Sequence, residues 1–462
     1  MRGAIFVMFL LPIQLIAQYN WQPLNNAPKS WRNDDVYFLN AKTGWAIHAY
    51  YSPISPSQYG QIYSTYDGGG TWQLIKDSSK AYFRAVGFAD SLVGWVGNLA
   101  DTNSFNGFAM PPTHDTIPMY QTSNGGKSWI PVNLPIPHPI GICGISVVND
   151  SVIYAYGRWN SKWIYNYPVG YVKTLDKGKT WVYHDMSSYC FGMVDGWFFN
   201  KDTGFISGAS TTYKAQILST VDGGNTWQVC YQSTRVDTDE VWKIFFPDRN
   251  TGYASIEYQA PVTQTPNRYF VKTIDGGKTW NEMPFISYYD EEGIGFINDS
   301  IGWIGGDYYM PTYITFDGGN TWNADKGFGI LTPPYQSGKG YSMNRFRKIN
   351  DTLMYASGNT VYKLNGGITG INELYKSANR VTNYPNPYSS ETTIEYTLTQ
   401  ACHSVTLKVF AIRGQLIFSQ NFGSQSSGNH EYVFKQGIPS GAYYYSITSD
   451  EYTITKKMIR IK

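Results

Sequence analysis

The stretch Thr-Val-Asp-Gly-Gly-Asn-Thr-Trp at Thr220–Trp227 decides the fold, because close variants of it recur along the chain. Successive copies place their tryptophans roughly 40 to 60 residues apart, a spacing typical of propeller blades rather than of helical solenoids. With 462 residues, the chain is too long for one ordinary core unless that core is built from repeats. The copies are TYDGGGTW (Thr65–Trp72), TSNGGKSW (Thr122–Trp129), TLDKGKTW (Thr174–Trp181), TVDGGNTW (Thr220–Trp227), TIDGGKTW (Thr273–Trp280) and TFDGGNTW (Thr315–Trp322).

Each copy has the chemistry of a tight turn between two β-strands. An Asp side chain accepts hydrogen bonds from nearby backbone N–H groups, and glycine adopts the positive φ that such a turn needs. The Trp supplies a large apolar surface to pack between sheets. Asn124 and Lys177, which replace an Asp and a Gly, suit a turn but not a shared metal site. We therefore predict a structural role, with no metal and no cofactor, for Asp67, Trp72, Asn124, Trp129, Asp176, Trp181, Asp222, Trp227, Asp275, Trp280, Asp317 and Trp322.

These phrases resemble the Asp box, or bacterial neuraminidase repeat, and the wider pattern is similar to the photosystem II assembly/stability factor type of propeller. Short turns followed by Gly-aromatic strands, such as KDTGFISG at Lys201–Gly208, strengthen the resemblance. The sequence contains seven such strand phrases but six Asp boxes. The last repeat lacks its outer strand, and Asn20–Leu24 looks like that strand. The resemblance implies an all-β fold with a seven-bladed β-propeller, and we expect the N-terminus to complete the last blade.

The N-terminal residues have the pattern of a secretory signal peptide. Arg2 precedes an apolar run from Ala4 to Ile16, and Ala17 offers a small residue for cleavage. No later segment has the length and apolarity of a transmembrane helix. The predicted domains are a signal peptide (1–17), the propeller (18–367), a polar linker (368–380) and a small immunoglobulin-like β-sandwich (381–462).

Composition argues against several classes of function. The formal net charge is only +2 and the charged residues are dispersed, whereas a nucleic-acid groove needs clustered Lys and Arg. The six histidines are scattered and the cysteines have no metal-binding spacing, so no metal site is predicted. Export would permit one disulfide among Cys143, Cys190 and Cys230, but nothing in the sequence selects the pair.

Blade topology separates the loops into two kinds. In a four-stranded antiparallel meander the first and third turns share one face, and the longer second loops lie on the other, here named the loop-rich face. Aromatic residues on variable loops over a rigid scaffold are typical of a recognition surface for a polysaccharide or a surface protein. The alternative is that these rings pack on one another to order the loops. The candidate ligand-binding residues are Tyr51, Trp159, Trp163, Tyr165, Tyr308 and Tyr309.

Carboxylate side chains suggest a second possible function for the propeller. Glycoside hydrolysis commonly needs two carboxyl groups about 5 to 10 Å apart across the bond, and Asp239, Glu240, Glu291 and Glu292 are the candidates for a polysaccharide-acting hydrolase. The arginine phrases of sialidases, which share the Asp box, are absent. Basic residues near the starts of inner strands could surround the central channel: Arg32, Arg84, Lys243 and Arg345.

The tail has its own pattern of alternating strands with short glycine turns, from TTIEYTL (Thr392–Leu398) to TITKKMIRIK (Thr453–Lys462). Its YPNP, Arg-Gly and PSGAYYY phrases closely resemble the type A C-terminal sorting domain of the type IX secretion system. The resemblance implies recognition by an outer-membrane translocon and a secreted or surface-attached product. An ordinary immunoglobulin-like module that binds sugar is the alternative. The sorting signal would involve Pro385, Asn386, Pro387, Gly414, Gly441, Tyr443, Lys456 and Lys457.

Three functions therefore remain open from the sequence: a binding or assembly module, a polysaccharide-acting hydrolase, and a structural component of the cell surface. Two carboxyl groups facing each other across an open cleft would favour the hydrolase. A filled channel, or channel carboxylates paired with arginine, would favour the binding module.

Overall fold

The computed structural model describes the chain in fifteen ranges: 21–30, 33–51, 58–79, 81–99, 115–157, 168–235, 239–258, 268–285, 291–306, 311–325, 343–365, 381–398, 401–411, 415–449 and 453–461. Every regular element in these ranges is a β-strand, which confirms the all-β prediction. The described residues fall into two compact units, one within Asn20–Gly366 and one within Gly367–Lys462. None of them belongs to a helix that could cross a membrane. The predicted signal peptide and linker lie outside the described residues.

The first unit consists of short antiparallel strands. In chain order they are β1 (Trp21–Pro23); β2 (Asp35–Phe38), β3 (Gly44–Tyr51), β4 (Gln58–Thr65), β5 (Gln73–Ser79); β6 (Phe83–Phe88), β7 (Gly94–Asn98), β8 (Met119–Thr122), β9 (Ile130–Pro131); β10 (Ile142–Val147), β11 (Ile153–Gly157), β12 (Gly170–Thr174), β13 (Val182–Asp185); β14 (Cys190–Phe198), β15 (Gly204–Ser210), β16 (Ala215–Thr220), β17 (Gln228–Gln232); β18 (Asp239–Phe245), β19 (Gly252–Tyr258), β20 (Arg268–Thr273), β21 (Asn281–Phe285); β22 (Glu291–Phe296), β23 (Gly302–Gly306), β24 (Tyr313–Thr315), β25 (Asn323–Ala324); and β26 (Arg345–Asn350), β27 (Leu353–Ser357), β28 (Val361–Asn365).

These strands build seven four-stranded sheets, six of which are meanders of consecutive strands. The first strands of successive sheets contact one another, from β2 to β6 and onward to β26, and β26 contacts β2. The sheets therefore form a closed ring, which is a β-propeller. The seventh sheet has the order β1-β28-β27-β26, with Trp21 opposite Leu364. The expected completion of this sheet by the N-terminal strand is confirmed.

The Asp-box-like turns connect the third and fourth strands of their sheets. In the copy at Thr220–Trp227, one carboxylate oxygen of Asp222 accepts hydrogen bonds from the Thr226 backbone N–H and the Thr220 hydroxyl, both at 2.9 Å. The other oxygen accepts the Thr226 hydroxyl at 2.6 Å. Gly223 and Gly224 have φ values of 74° and 87°, a conformation that glycine adopts without strain. The carboxylate thus replaces backbone hydrogen bonds that the tight turn leaves unmade.

These turns predict loss of stability in acid. Hydrogen bonds from the threonine four residues later lower the pKa of Asp67, Asp176, Asp222 and Asp275 to about 2. An unfolded Asp has a pKa of about 3.9, so the stabilisation is present above about pH 4 and is lost as the pH falls towards about 2. We expect the free energy of unfolding of the propeller to decrease through this window, as measured by denaturant titrations at several pH values.

The second turn supplies a natural control for this prediction. Asn124 occupies the Asp position there and donates to the Ser128 hydroxyl at 2.8 Å, so this turn has no carboxylate to titrate. Asp222→Asn should lower the number of protons taken up on unfolding in this window by about one. Asn124→Asp should raise that number by a similar amount. Identical pH dependences in both variants and the parent would contradict the assignment.

Aromatic rings join neighbouring sheets. A phenylalanine at the end of a first strand stacks on a ring from the second strand of the preceding sheet, as Phe296 does on Tyr253 with centroids 3.5 Å apart. The Asp-box-like tryptophan of the same sheet packs edge-on against that phenylalanine, as Trp322 does at 6.1 Å. Such contacts contribute stability beyond the apolar area that they bury. Matching stacks are Phe38 on Tyr355, Phe88 on Trp45 and Phe198 on Tyr154.

The Gly-aromatic strands need their glycine for this packing. A Cβ atom on Gly302 would lie 2.3 Å from the ring of Phe296. In the third sheet, where Ile153 takes the glycine position, the residue opposite it is Val147. The large–small pair is therefore exchanged for two medium-sized residues at the same place.

This exchange predicts a rescue. Gly302→Ile should lower the free energy of unfolding of the propeller by about 3 kcal/mol, because the new side chain overpacks the space under Phe296. Combining it with Phe296→Val, which imitates the pair in the third sheet, should recover part of the loss. The four proteins of this double-mutant cycle are compared by denaturant unfolding. Additive losses in the double variant would show that the two positions do not compensate.

The second unit is a two-sheet sandwich, as predicted. One sheet has the order β29-β30-β33 and the other β32-β31-β34-β35, and both contribute to one buried core that includes Ile394, Leu407 and Tyr445. Along β30, buried residues alternate with more exposed ones, as expected for a strand with one face on a core. Its strands are β29 (Val381–Tyr384), β30 (Thr392–Leu398), β31 (Cys402–Ala411), β32 (Leu416–Gln425), β33 (Gly428–Phe434), β34 (Gly441–Thr448) and β35 (Thr453–Arg460).

Candidate functional site

A layer of charged side chains crosses the axis of the propeller ring. Arg345 on β26 donates from Nη1 and Nη2 to the two carboxylate oxygens of Asp195 on β14, at 2.8 and 3.0 Å. Its Nε donates to Asp35 on β2 at 3.2 Å. Arg84 forms an ion pair with the fully buried side chain of Asp34. Lys243 on β18 is also buried, with 3% of its surface exposed. We call Asp34, Asp35, Arg84, Asp195, Lys243 and Arg345 the ion layer.

The charges of the ion layer shift one another's pKa values. Burial raises the pKa of Asp195, but the charges of Arg345 and Lys243 outweigh it and hold that pKa below its usual range. Burial, followed by the neighbouring charge of Arg345, lowers the pKa of Lys243 to about 8, against the opposing effect of Asp195. Removing one partner of such a buried ion pair destabilises the fold, because the other charge is left buried and uncompensated.

A cavity of about 490 Å³ lies beside the ion layer on the axis. Residues two positions along a strand share a face, so Tyr37, Trp197 and Arg347 follow Asp35, Asp195 and Arg345 along the channel wall. All six residues line the cavity. Its lining extends to the ends of the first strands, where the first turns begin. Those turns accept backbone hydrogen bonds from the Asp-box-like turns, as Ser300 does from Gly318 at 2.8 Å. The cavity therefore extends towards the face of the Asp-box-like turns.

The four candidate catalytic carboxylates are buried at the starts of two inner strands. Exposed fractions are 0% for Asp239, 5% for Glu240, 0% for Glu291 and 2% for Glu292. The hydroxyl of Tyr269 donates to Asp239 at 2.7 Å. None of the four lines the axial cavity.

The candidate ligand-binding aromatics belong to parts of the chain beyond the described ranges. Trp159, Trp163, Tyr165, Tyr308 and Tyr309 lie outside the described residues, and so does the side chain of Tyr51 at the end of β3. Their role stays a prediction.

The described ranges contain no cluster of His, Cys, Asp and Glu side chains that could hold a metal ion. Two of their cysteines, Cys190 and Cys230, are free thiols. Burial raises the pKa of both Cys190 and Cys230 to about 12, so neither is an activated nucleophile.

Sequence reasoning missed half of the ion layer. It placed Arg84, Lys243 and Arg345 near the channel but did not single out Asp34, Asp35 or Asp195. The available signal was a charged residue inside an otherwise apolar inner strand, as in Cys190–Phe198. Such a residue is buried and therefore needs a partner.

In the tail, part of the predicted sorting signal is brought together on β35. The side-chain amide of Asn386 donates to the carbonyl of Lys457 at 3.0 Å, and its oxygen accepts the Ile459 N–H at 2.9 Å. Tyr443 donates its hydroxyl to the Pro439 carbonyl at 2.7 Å. Lys456 and Lys457 are exposed, and Gly414 lies outside the described residues. Asn386 thus fixes the start of the domain against its last strand.

Comparisons with solved structures agree on the fold. The structure of YCF48 bound to D1 peptide aligns with 75% of this chain and 95% of its own, at 15% identity and a TM-score of 0.51. YCF48 from Cyanidioschyzon merolae aligns with 75% and 98%, at 15% identity and a TM-score of 0.50. An ancestral GH74 enzyme aligns with 95% and 63%, at 14% identity and a TM-score of 0.48, too low to establish a shared fold. No curated protein matches the chain.

The tail matches a family directly. Residues 382–462 match the secretion system C-terminal sorting domain, over nearly the whole second unit. The match agrees with the resemblance seen in the YPNP and PSGAYYY phrases. Residues 382–462 are therefore a C-terminal sorting domain of the type IX secretion system, and the protein that carries it behind a β-propeller is exported to the cell surface or the extracellular space.

Proposed function

We propose that the exported propeller is a binding module that holds a polysaccharide or a surface protein on its loop-rich face, and that it is not an enzyme. The observation that carries this proposal is the ion layer. Its carboxylates, Asp34, Asp35 and Asp195, are bound by arginines. A hydrolase would need carboxyl groups that face substrate across an open cleft, whereas these stabilise the channel.

Burial of the candidate acids supports the same proposal. A general acid or nucleophile must reach the glycosidic oxygen or carbon directly, and Asp239, Glu240, Glu291 and Glu292 are each at most 5% exposed. A polysaccharide-acting hydrolase would require these strand ends to open. The binding module requires only a rigid scaffold under the loops, which the closed ring supplies.

The solved relative gives a precedent for binding. YCF48, whose propeller this one resembles, has been solved with a D1 peptide bound. At 15% identity the likeness concerns the fold, so ligand chemistry cannot be carried over. It does support a propeller of this kind as a platform for another molecule.

The experiment is to incubate the full exported chain with a panel of polysaccharides and to score retention and product release together. Retention without new reducing ends is the expected result, and Trp163→Ala should weaken it at least tenfold. Tyr66→Ala is the matched control, because Tyr66 is an exposed aromatic on an Asp-box-like turn. Release of oligosaccharides that is abolished by Asp239→Asn or Glu291→Gln would overturn the proposal. If the chain neither binds the polysaccharides nor releases products from them, these glycans are excluded as ligands. The search would then turn to a protein of the cell envelope.

A further inference from the structure

We propose that the axial cavity is a second binding site, which takes a small monocarboxylic acid and holds its carboxylate on Arg347. This site lies towards the face of the Asp-box-like turns, away from the loop-rich face. It therefore does not depend on the function proposed above.

The donor is the guanidinium of Arg347. Arg347 lines the cavity and is half-buried, yet its side chain makes no hydrogen bond or ion pair with any other residue that the structure describes. Its neighbours differ: Arg345 is bound by Asp195, and Lys348 lies 2.8 Å from Asp351. A guanidinium carries five N–H donors in a planar fork that fits a carboxylate. Among the described residues, the guanidinium of Arg347 thus has no hydrogen-bond acceptor, and its donors can bind a carboxylate.

Tyr37 holds this guanidinium in place. The guanidinium carbon of Arg347 lies 4.0 Å from the centre of the Tyr37 ring, the distance of a cation–π contact. A stacked guanidinium has already lost much of its rotational freedom, so a ligand pays less to order it. The floor of the cavity carries no net negative charge, because the two carboxylates of Asp35 and Asp195 are balanced by Arg345 and the buried Lys243.

The walls offer a ligand both charged and apolar neighbours. Arg347 and Lys348 line the cavity together with Val86, Phe245 and Ile294. The hydroxyl of Ser146 already donates to the Gly196 carbonyl at 2.9 Å. The volume of about 490 Å³ lies in the range of small-molecule sites, larger than an inorganic anion would fill.

The test is calorimetric titration of the full chain with octanoate and phenylacetate, and with octanamide and phenylacetamide as uncharged matches. We expect at least one acid to bind at least tenfold more tightly than its amide. Failure of both acids to bind, or equal binding of acid and amide, would overturn the proposal.

Variants locate the site. Arg347→Gln should weaken binding of the acid at least tenfold, and Arg347→Lys should weaken it less, because it keeps the charge but loses the fork. Arg249→Gln is the matched control. Arg249 also stacks on an aromatic ring, that of Phe199 at 5.2 Å, but it is exposed and does not line the cavity. Unchanged affinity in Arg347→Gln, or an equal loss in Arg249→Gln, would overturn the assignment, with thermal melts verifying that each variant is folded.

Discussion

Arg345→Gln is expected to lower the free energy of unfolding of the propeller by about 3 to 5 kcal/mol. The substitution removes the cation that forms ion pairs with the carboxylates of Asp35 and Asp195, and both carboxylates stay buried. Glutamine keeps a hydrogen-bonding amide, but it is shorter than arginine and carries no charge to balance them. The loss is measured as the shift of the propeller transition in denaturant, with the transition of the sorting domain followed separately.

Two further variants separate charge from packing. Arg347→Gln, on the same strand but without an ion pair among the described residues, should cost less than about 1 kcal/mol. The combination Asp35→Asn and Arg345→Gln removes one charge of each sign and leaves Asp195 with Lys243, so it should be more stable than Arg345→Gln alone. A double variant that is less stable than the single one would show that the pairing of charges does not account for the loss.

Trp21→Ala is expected to cost the propeller about 3 to 5 kcal/mol. Trp21 is 1% exposed and packs edge-on against Trp303 at 5.3 Å and against Phe346 at 5.8 Å. Its loss opens a cavity at the place where the ring closes, so the pairing of β1 with β28 also weakens. Denaturant unfolding measures the stability, and hydrogen exchange at the backbone of β28 measures the local opening.

Gln22→Ala is the control for the closing strand, since Gln22 is exposed and its neighbour Trp21 is not. It should change stability by less than about 1 kcal/mol. If Trp21→Ala were as mild as Gln22→Ala, β1 would not be an integral part of the seventh sheet. Faster exchange confined to β28, without a global loss, would instead show that the ring tolerates an open edge.

The repeated turns made most of the fold predictable. The Asp or Asn, the Gly and the Thr of each copy specify a local turn, and its chemistry is complete within eight residues, as at Thr220–Trp227. The closing strand could also be inferred, because its residues resemble the strands that follow other turns. Local patterns of this kind repeat, so each copy supports the interpretation of the others.

The ion layer could not be predicted in the same way. Arg345 meets Asp195 across the axis, 150 residues away in sequence, and Asp35 at a separation of 310. Which inward residues meet depends on the bulges that shift the register, such as the one between Met193 and Asp195 on β14. Charge signs are visible in the sequence, but the partner of each charge follows only from the closed ring.

The pairing of β1 with β28 has a mechanical consequence. Trp21 lies opposite Leu364 and Pro23 opposite Tyr362, so the N-terminal end of one strand meets the C-terminal end of the other. A force pulling the sorting domain away from the N-terminus would act first on the Trp21–Leu364 pair, at one end of the β1–β28 ladder. The hydrogen bonds would then break one after another, as in a zipper, instead of sharing the load. The ladder that closes the ring is thus the point where a pull on the chain ends would first open the propeller.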